Sequence, residues 1–157
     1  MGVFVGIDVS LDNCAVCAVD EHGKLVKEAK VPSDPGALHA CVRGIPGVVE
    51  AIGIEAGPLS QWLHKSLTDL GLPVVLMETR QVKAALKAAP VKTDRRDAAG
   101  LARLLQMGWF RPVHCKSLSA QELRVLLGAR RSVQDAAINI EMSIRGMLRN
   151  FGLRLGR

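Results

Sequence analysis

Asp94 and Asp97 stand three residues apart in the run Thr93-Asp94-Arg95-Arg96-Asp97-Ala98. Thr93 is a good helix N-cap, and Leu101, Leu104 and Leu105 recur at helical spacing, so the sequence predicts a helix starting near Asp94. On its first turn the two acids share one face with Cβ atoms about 5 to 6 Å apart, close enough for both carboxylates to reach one divalent cation. Acids in a first turn also serve simply to offset the positive end of the helix macrodipole. What turns the pair into candidate chemistry is that two further carboxylates, Asp8 and Glu55, close apolar runs. Burying a lone carboxylate is costly, so an acid in a core strand calls for a cation or a hydrogen-bond partner. A side-chain period of two puts Phe4, Gly6 and Asp8 on one face of the first run, where the missing side chain at Gly6 leaves room for an approaching group. Gly53 and Glu55 repeat that arrangement.

The elements that must position these acids follow from periodicity and punctuation. Val3 to Val9 reads as a strand buried on both faces, Cys14 to Val19 as a second and Lys24 to Val31 as a third, joined by the turns Leu11-Asp12-Asn13 and Asp20-Glu21-His22-Gly23. The three form an antiparallel meander. Ala37 to Val42 predicts a short helix, and Val48 to Glu55 a fourth strand. Pro58 suits the first turn of a helix whose buried face carries Leu59, Trp62, Leu63, Leu67 and Leu70. Leu72 to Met77 predicts a fifth strand. The helix after Glu78-Thr79 sets Arg80, Lys83 and Lys87 in a basic stripe opposite Val82 and Leu86, a stripe suited to backbone phosphates or else a solvated face. Ser119-Ala120-Gln121-Glu122 reads as a capping box opening a long amphipathic helix to Phe151, interrupted near Gly128.

A chain of 157 residues that is 48% hydrophobic holds one buried core and an appendage, since two ordinary domains need more chain. Its net charge of +6 is uneven. Residues 1–90 carry eight basic and ten acidic side chains, whereas residues 91–157 carry thirteen and five. A basic half beside few aromatics predicts a polyanionic partner held through phosphates more than through stacking. No run of about 18 apolar residues and no signal-peptide pattern is present, so a cytoplasmic protein is expected, with no membrane partner. The cysteines are then expected to be reduced. Cys14-x-x-Cys17 is no metal pair, because strand residues three apart point to opposite faces and no second ligand pair follows at finger spacing. His22, His39, His64 and His114 form no spaced ligand set.

This order, a meander followed by alternating helices and strands with an acid on the first strand, one ending the fourth and two on a late helix, resembles the RNase H-like (RuvC-like) fold: an α/β mixed five-stranded sheet with flanking helices, here followed by a long C-terminal helical segment. The strings Gly6-Ile7-Asp8-Val9-Ser10, Ile54-Glu55-Ala56-Gly57, Lys92-Thr93-Asp94-Arg95-Arg96-Asp97-Ala98 and Arg111-Pro112-Val113 are similar to the signature of DEDD-type insertion-sequence transposases and the related pilin-gene invertases. Leu11, where a lysine often follows the serine, and Glu78-Thr79, where Asn-Pro is more frequent, depart from it. The resemblance implies that Asp8, Glu55, Asp94 and Asp97 are both catalytic residues and ligands of Mg²⁺ or Mn²⁺, with two ions and Asp8 as the bridging ligand. Lys92, Arg95 and Arg96 would hold phosphates beside them. It further implies a bacterial or archaeal origin, DNA strand cleavage and transfer, a structured guide RNA, and a serine-bearing second domain in full-length members. Residues 1–112 then form the catalytic domain and residues 113–157 the start of a coiled-coil linker through which the chain dimerises or assembles further.

Three other readings fit parts of this pattern. A RuvC-like structure-selective nuclease shares the acids. A nucleic-acid-binding module without chemistry sits poorly with all four of them. An actin-like sugar kinase also opens on Gly-Ile-Asp but needs a glycine-rich phosphate loop where Val9-Ser10-Leu11-Asp12 stands.

Overall fold

A computed structural model describes residues 1–87 and 93–154. The elements are β1 (Gly2–Asp8), β2 (Asn13–Asp20), β3 (Leu25–Pro32), α1 (Pro35–Arg43), β4 (Val48–Glu55), α2 (Ser60–Asp69), β5 (Val74–Met77), α3 (Thr79–Leu86), α4 (Asp94–Gln106) and α5 (Leu118–Arg149). They fall into two compact units, Met1–Cys115 and Lys116–Arg157.

In the first unit one five-stranded sheet runs β3-β2-β1-β4-β5. The first three strands are the expected antiparallel meander, while β4 lies parallel to β1 and β5 parallel to β4. Strand alternation divides the core. Val3, Val5, Ile7, Val16, Ile52 and Ile54 pack with Leu38 and Val42 of α1 and Leu63 and Leu67 of α2. The opposite face, carrying Phe4, Cys17 and Val19, is covered by α4 through Ala98, Leu101, Ala102 and Leu105. Beyond β5, the Glu78 amide donates to the Arg111 carbonyl at 3.0 Å and the Val113 amide to Leu76 at 2.8 Å, so this segment belongs to the first unit.

Local chemistry fixes the joints. Asp20 accepts the amides of His22 and Lys24 at 2.9 Å each, closing the β2–β3 hairpin, and these donors hold its pKa below the ordinary carboxylate value. Asp34 caps α1 by accepting the Ala37 amide at 2.9 Å, and Lys27 donates to the Cys41 and Gly44 carbonyls at the other end. Ser33 donates to the Ser10 carbonyl at 2.7 Å, and its amide donates to Asp12 at 3.0 Å, which ties down the loop after β1.

Several expectations are corrected. The fifth strand begins at Val74, because the Leu72 amide still closes the end of α2 on the Leu67 carbonyl at 3.0 Å. α2 begins at Ser60 rather than at Pro58, since Ser60 Oγ bonds both the amide and the carbonyl of Gly57 and holds a tight turn there. Trp62 and Leu70 are 49% and 47% exposed, leaving Leu63 and Leu67 as the buried stripe of a short helix. α5 is capped by Ser117, which accepts the Ala120 amide, not by Ser119, and it passes Gly128 without a break.

Cys14 and Cys17 lie on opposite faces of β2, both buried and reduced. Burial, reinforced by the negative charge of Glu28, pushes the Cys17 thiol up to about 11 from 9.0. Between those values the unfolded chain has lost the proton that the folded chain retains, so stability falls as pH rises from 9 to 11, by up to about 2 kcal/mol. Urea midpoints measured across that interval should fall less steeply for Cys17→Ala than for the parent; parallel curves would remove the thiol as the cause.

Candidate active site

β1 and β4 are parallel neighbours in register at Ile7 and Ile54, so the next residues, Asp8 and Glu55, end adjacent strands side by side. The same register pairs Gly6 with Gly53, and alternation puts all four on the face that α4 covers. A cleft of about 430 Å³ opens at these strand ends, lined by Asp8 and Glu55, the loop Val9 to Leu11, the turn Ala56 to Ser60, and Thr79 and Lys83 of α3. Thr79 Oγ1 donates to the Ala56 carbonyl at 2.7 Å and the Ala56 amide donates to Met77 at 3.0 Å, which fixes the backbone just past Glu55. Both acids are half-buried.

The late helix is seated by the absence of side chains beneath it. A β-carbon on Gly6 would overlap the Ala98 carbonyl oxygen and stand 2.5 Å from the Ala102 amide nitrogen. α4 runs antiparallel to β1: Ala98 meets Gly6, while at the far end Gln106 donates to the Glu21 carbonyl beyond β2. Its first turn therefore lies at the sheet end that holds Asp8. Thr93 caps it by accepting the Arg96 amide at 3.3 Å, as its sequence predicts. Asp97 is half-buried and directly precedes Ala98. Asp94 is exposed and lines a different hollow, with Asn13, Glu28, Lys30, Thr93 and Arg95.

The structure thus brings Asp8, Glu55 and Lys83 to one cleft, sets Asp97 on the helix turn at the same sheet end, and points Asp94 into the neighbouring hollow. Among the described residues no three histidine, cysteine or carboxylate side chains are gathered closely enough to ring one metal ion. The Asp8–Glu55 pair alone is an all-oxygen anionic donor set, the kind that suits a hard divalent cation. Of the basic candidates, Arg80, Lys83 and Lys87 are exposed along α3 and Arg96 is exposed on α4. Arg95 is engaged in an ion pair with Glu28. Lys92 lies outside the described residues. Sequence reasoning passed over Ser10, Ser60 and Thr79; the polar residues flanking each strand-end acid were the available signal.

Residues 5–152 match the model of a family described as transposases, the DEDD-type IS110 group. The chain belongs to the DEDD-type IS110 transposases. It is 29% identical over 159 residues to the transposase for insertion sequence element IS1111A of Coxiella burnetii, covering 98% of this chain and 40% of that protein. It is also 29% identical to the putative transposase y4qE of Sinorhizobium fredii, covering 98% of this chain and 39% of that one. The chain spans about two fifths of the length of these curated relatives. Among solved structures it is similar to Thermus thermophilus RuvC in complex with a Holliday junction substrate, with a TM-score of 0.50 at 21% identity, covering 72% of this chain and all of that one. The first unit of this transposase-family chain therefore has the RNase H-like, RuvC-like fold. No helix among the described residues is long and apolar enough to cross a membrane.

Proposed function

We propose that this chain carries the phosphodiester-cutting site of a DNA transposase, and that Asp8, Glu55, Asp94 and Asp97 hold divalent metal there. The observation that carries the reading is the convergence of Asp8 and Glu55, delivered by two parallel central strands, on one cleft that also receives Lys83. The substrate is DNA, as it is for the RuvC structure that the fold resembles. Held by these acids, a pair of Mg²⁺ or Mn²⁺ ions would supply activation of the attacking oxygen and charge stabilisation at the leaving oxygen. The chain's own residues do the rest. Asp8 and Glu55 provide fixed negative charge at strand ends that cannot move apart without breaking the β1–β4 ladder. Lys83 sits where it can neutralise a strand phosphate, and Arg80 and Lys87 extend that contact along one face of α3. Arg96 and Lys92 border the helix turn that carries the remaining acids, and Arg95 joins them if its pairing with Glu28 yields to a phosphate.

A structured guide RNA is a second nucleic-acid partner in this reading, supported by the basic half of the chain. A second copy of the chain covers the stripe Ile140, Ile144 and Met147 of α5 with Phe151 just beyond its end, all of them exposed, α5 itself burying none of its residues. Light scattering on Ile140→Glu combined with Ile144→Glu reads that association directly.

The test of the reading is metal-dependent nicking of junction and linear DNA by the chain with Mn²⁺ or Mg²⁺. Nicking, or metal-dependent DNA binding, that vanishes in Glu55→Gln is the expected result. DNA binding that ignores both the metal and Glu55→Gln would leave only a binding module.

A further inference from the structure

We infer that the end of α5 forms a phosphate-binding site of its own, built from Arg145, Arg149 and Arg154, which grips the sugar-phosphate backbone of a nucleic-acid strand. These three residues, with Gly152 and Leu153, line a hollow of about 520 Å³ within the second unit. Arg145 and Arg149 are one helical turn apart and share a face. Arg154 joins them through a chain reversal. Gly152, at a φ of +73°, ends the helix in the left-handed conformation, and the Leu153 amide donates back to the Leu148 carbonyl at 3.1 Å.

The arrangement exceeds what the helix end requires. Basic side chains near a helix C-terminus can satisfy its last carbonyls and offset the dipole. Here those carbonyls are already taken, Met147 by the Asn150 amide, Leu148 by Phe151 and Leu153, and Arg149 by Gly152, all within 3.2 Å. Three like charges in one hollow repel, and the only acid paired with them among the described residues is Glu141, 2.6 Å from Arg145 Nη2. Arg145 Nε is buried with no hydrogen-bond partner among the described residues, a donor left over after the Glu141 pair is made. Planar guanidinium forks match phosphate oxygens in pairs, so a strand backbone supplies acceptors for the exposed Arg149 and Arg154 and the counter-charge for all three.

The inference rests on the nucleic-acid reading of the chain but not on its metal chemistry, and the experiment separates the two. Binding of single-stranded RNA, single-stranded DNA and duplex DNA of one sequence is measured against salt for the chain and for Arg145→Gln/Arg149→Gln/Arg154→Gln. The log–log salt slope should flatten by about 2 on the strand type gripped, from three contacts at about 0.7 each on a single strand and somewhat more on duplex. The charge-matched control Arg124→Gln/Arg130→Gln/Arg131→Gln, elsewhere on α5, should leave the slope close to the parent's. Arg154→Gln alone, which lies outside the helix and cannot unfold it, should lower the slope by about one contact. Repeating the titrations with EDTA in place of divalent metal should leave the difference in slope between the triple variant and the parent unchanged. Equal flattening by both triple variants, or no change with either, would overturn the site, since net charge alone or nothing at all would then account for the binding.

Discussion

Mn²⁺ is expected to raise the melting temperature of the parent chain and to leave that of Asp8→Asn where it was. Asparagine keeps the shape of the side chain at the end of β1 and removes the charge, so the change isolates ligation from packing. A cation that binds only the folded state stabilises it by about 2.7 kcal/mol when present at a hundredfold its dissociation constant. For a unit of this size that is a shift of roughly 10 °C. Calorimetry on the same proteins should show the binding heat vanish. The structure also grades the other acids. Asp97→Asn should weaken binding sharply, because Asp97 stands on the helix turn at the Asp8 end of the sheet. Asp94→Asn should cost least, because that side chain lines the neighbouring hollow beside Lys30 and Arg95. An Asp8→Asn chain that Mn²⁺ stabilises as much as the parent would place the metal elsewhere or remove it.

Gly6→Ala is expected to be the most damaging single methyl group that can be added to the sheet. The new carbon meets backbone on α4, the Ala98 carbonyl and the Ala102 amide, and a helix backbone cannot rotate aside. α4 must lift from β1, at a cost of about 3 kcal/mol. Thermal melts followed by helical circular dichroism should fall by roughly 10 °C or more. Gly100→Ala is the matched comparison, because the atom in its way is the flexible end of Leu86 and the added methyl group favours the helix. It should melt close to the parent. Equal melting of Gly6→Ala and the parent would mean that α4 does not sit on β1 as described. Because α4 also carries Asp97, the Gly6 variant should lose metal affinity along with stability.

Much of this arrangement is legible in the residues themselves. A period of two in Val3 to Val9 and Val48 to Glu55 is enough to place Gly6 with Asp8 and Gly53 with Glu55, and Thr93 followed by Asp94 is enough to start α4. What periodicity cannot supply is the direction from which a neighbour arrives. Trp62 in α2 and Leu70 just after it fit the apolar stripe by spacing, yet both stay about half exposed beside the buried Leu63 and Leu67. Gly128 lowers helix propensity by about 1 kcal/mol, which the neighbouring good helix formers absorb. Ser117 and Ser119 are both capping residues by type, and only the backbone geometry decides between them. Asp94 and Asp97 share a face by spacing, yet Asp94 is exposed and lines the hollow beside β2 and β3 while Asp97 is half-buried next to Ala98. No single-chain pattern encodes which of the two a neighbouring strand will cover. The arginines at the end of α5 escaped notice for a related reason, since Arg154 joins the other two only once the chain has turned back at Gly152.

The strand order has a consequence for how this chain behaves at high concentration. β3 is an outermost strand of the sheet, and the far end of β5 is occupied by the segment around Pro112. An unpaired strand edge invites other chains to add on as further strands, the first step toward aggregates. β3 carries Lys27 and Lys30 within its length and Lys24 just before it, while Pro32 at its end has no amide to offer. A second molecule docking there in register would have to bring its own lysines alongside, with like charges opposed a few ångströms apart. The border of the sheet is thus guarded by charge, and high salt, which weakens that guard, is the condition under which purified material should first turn cloudy.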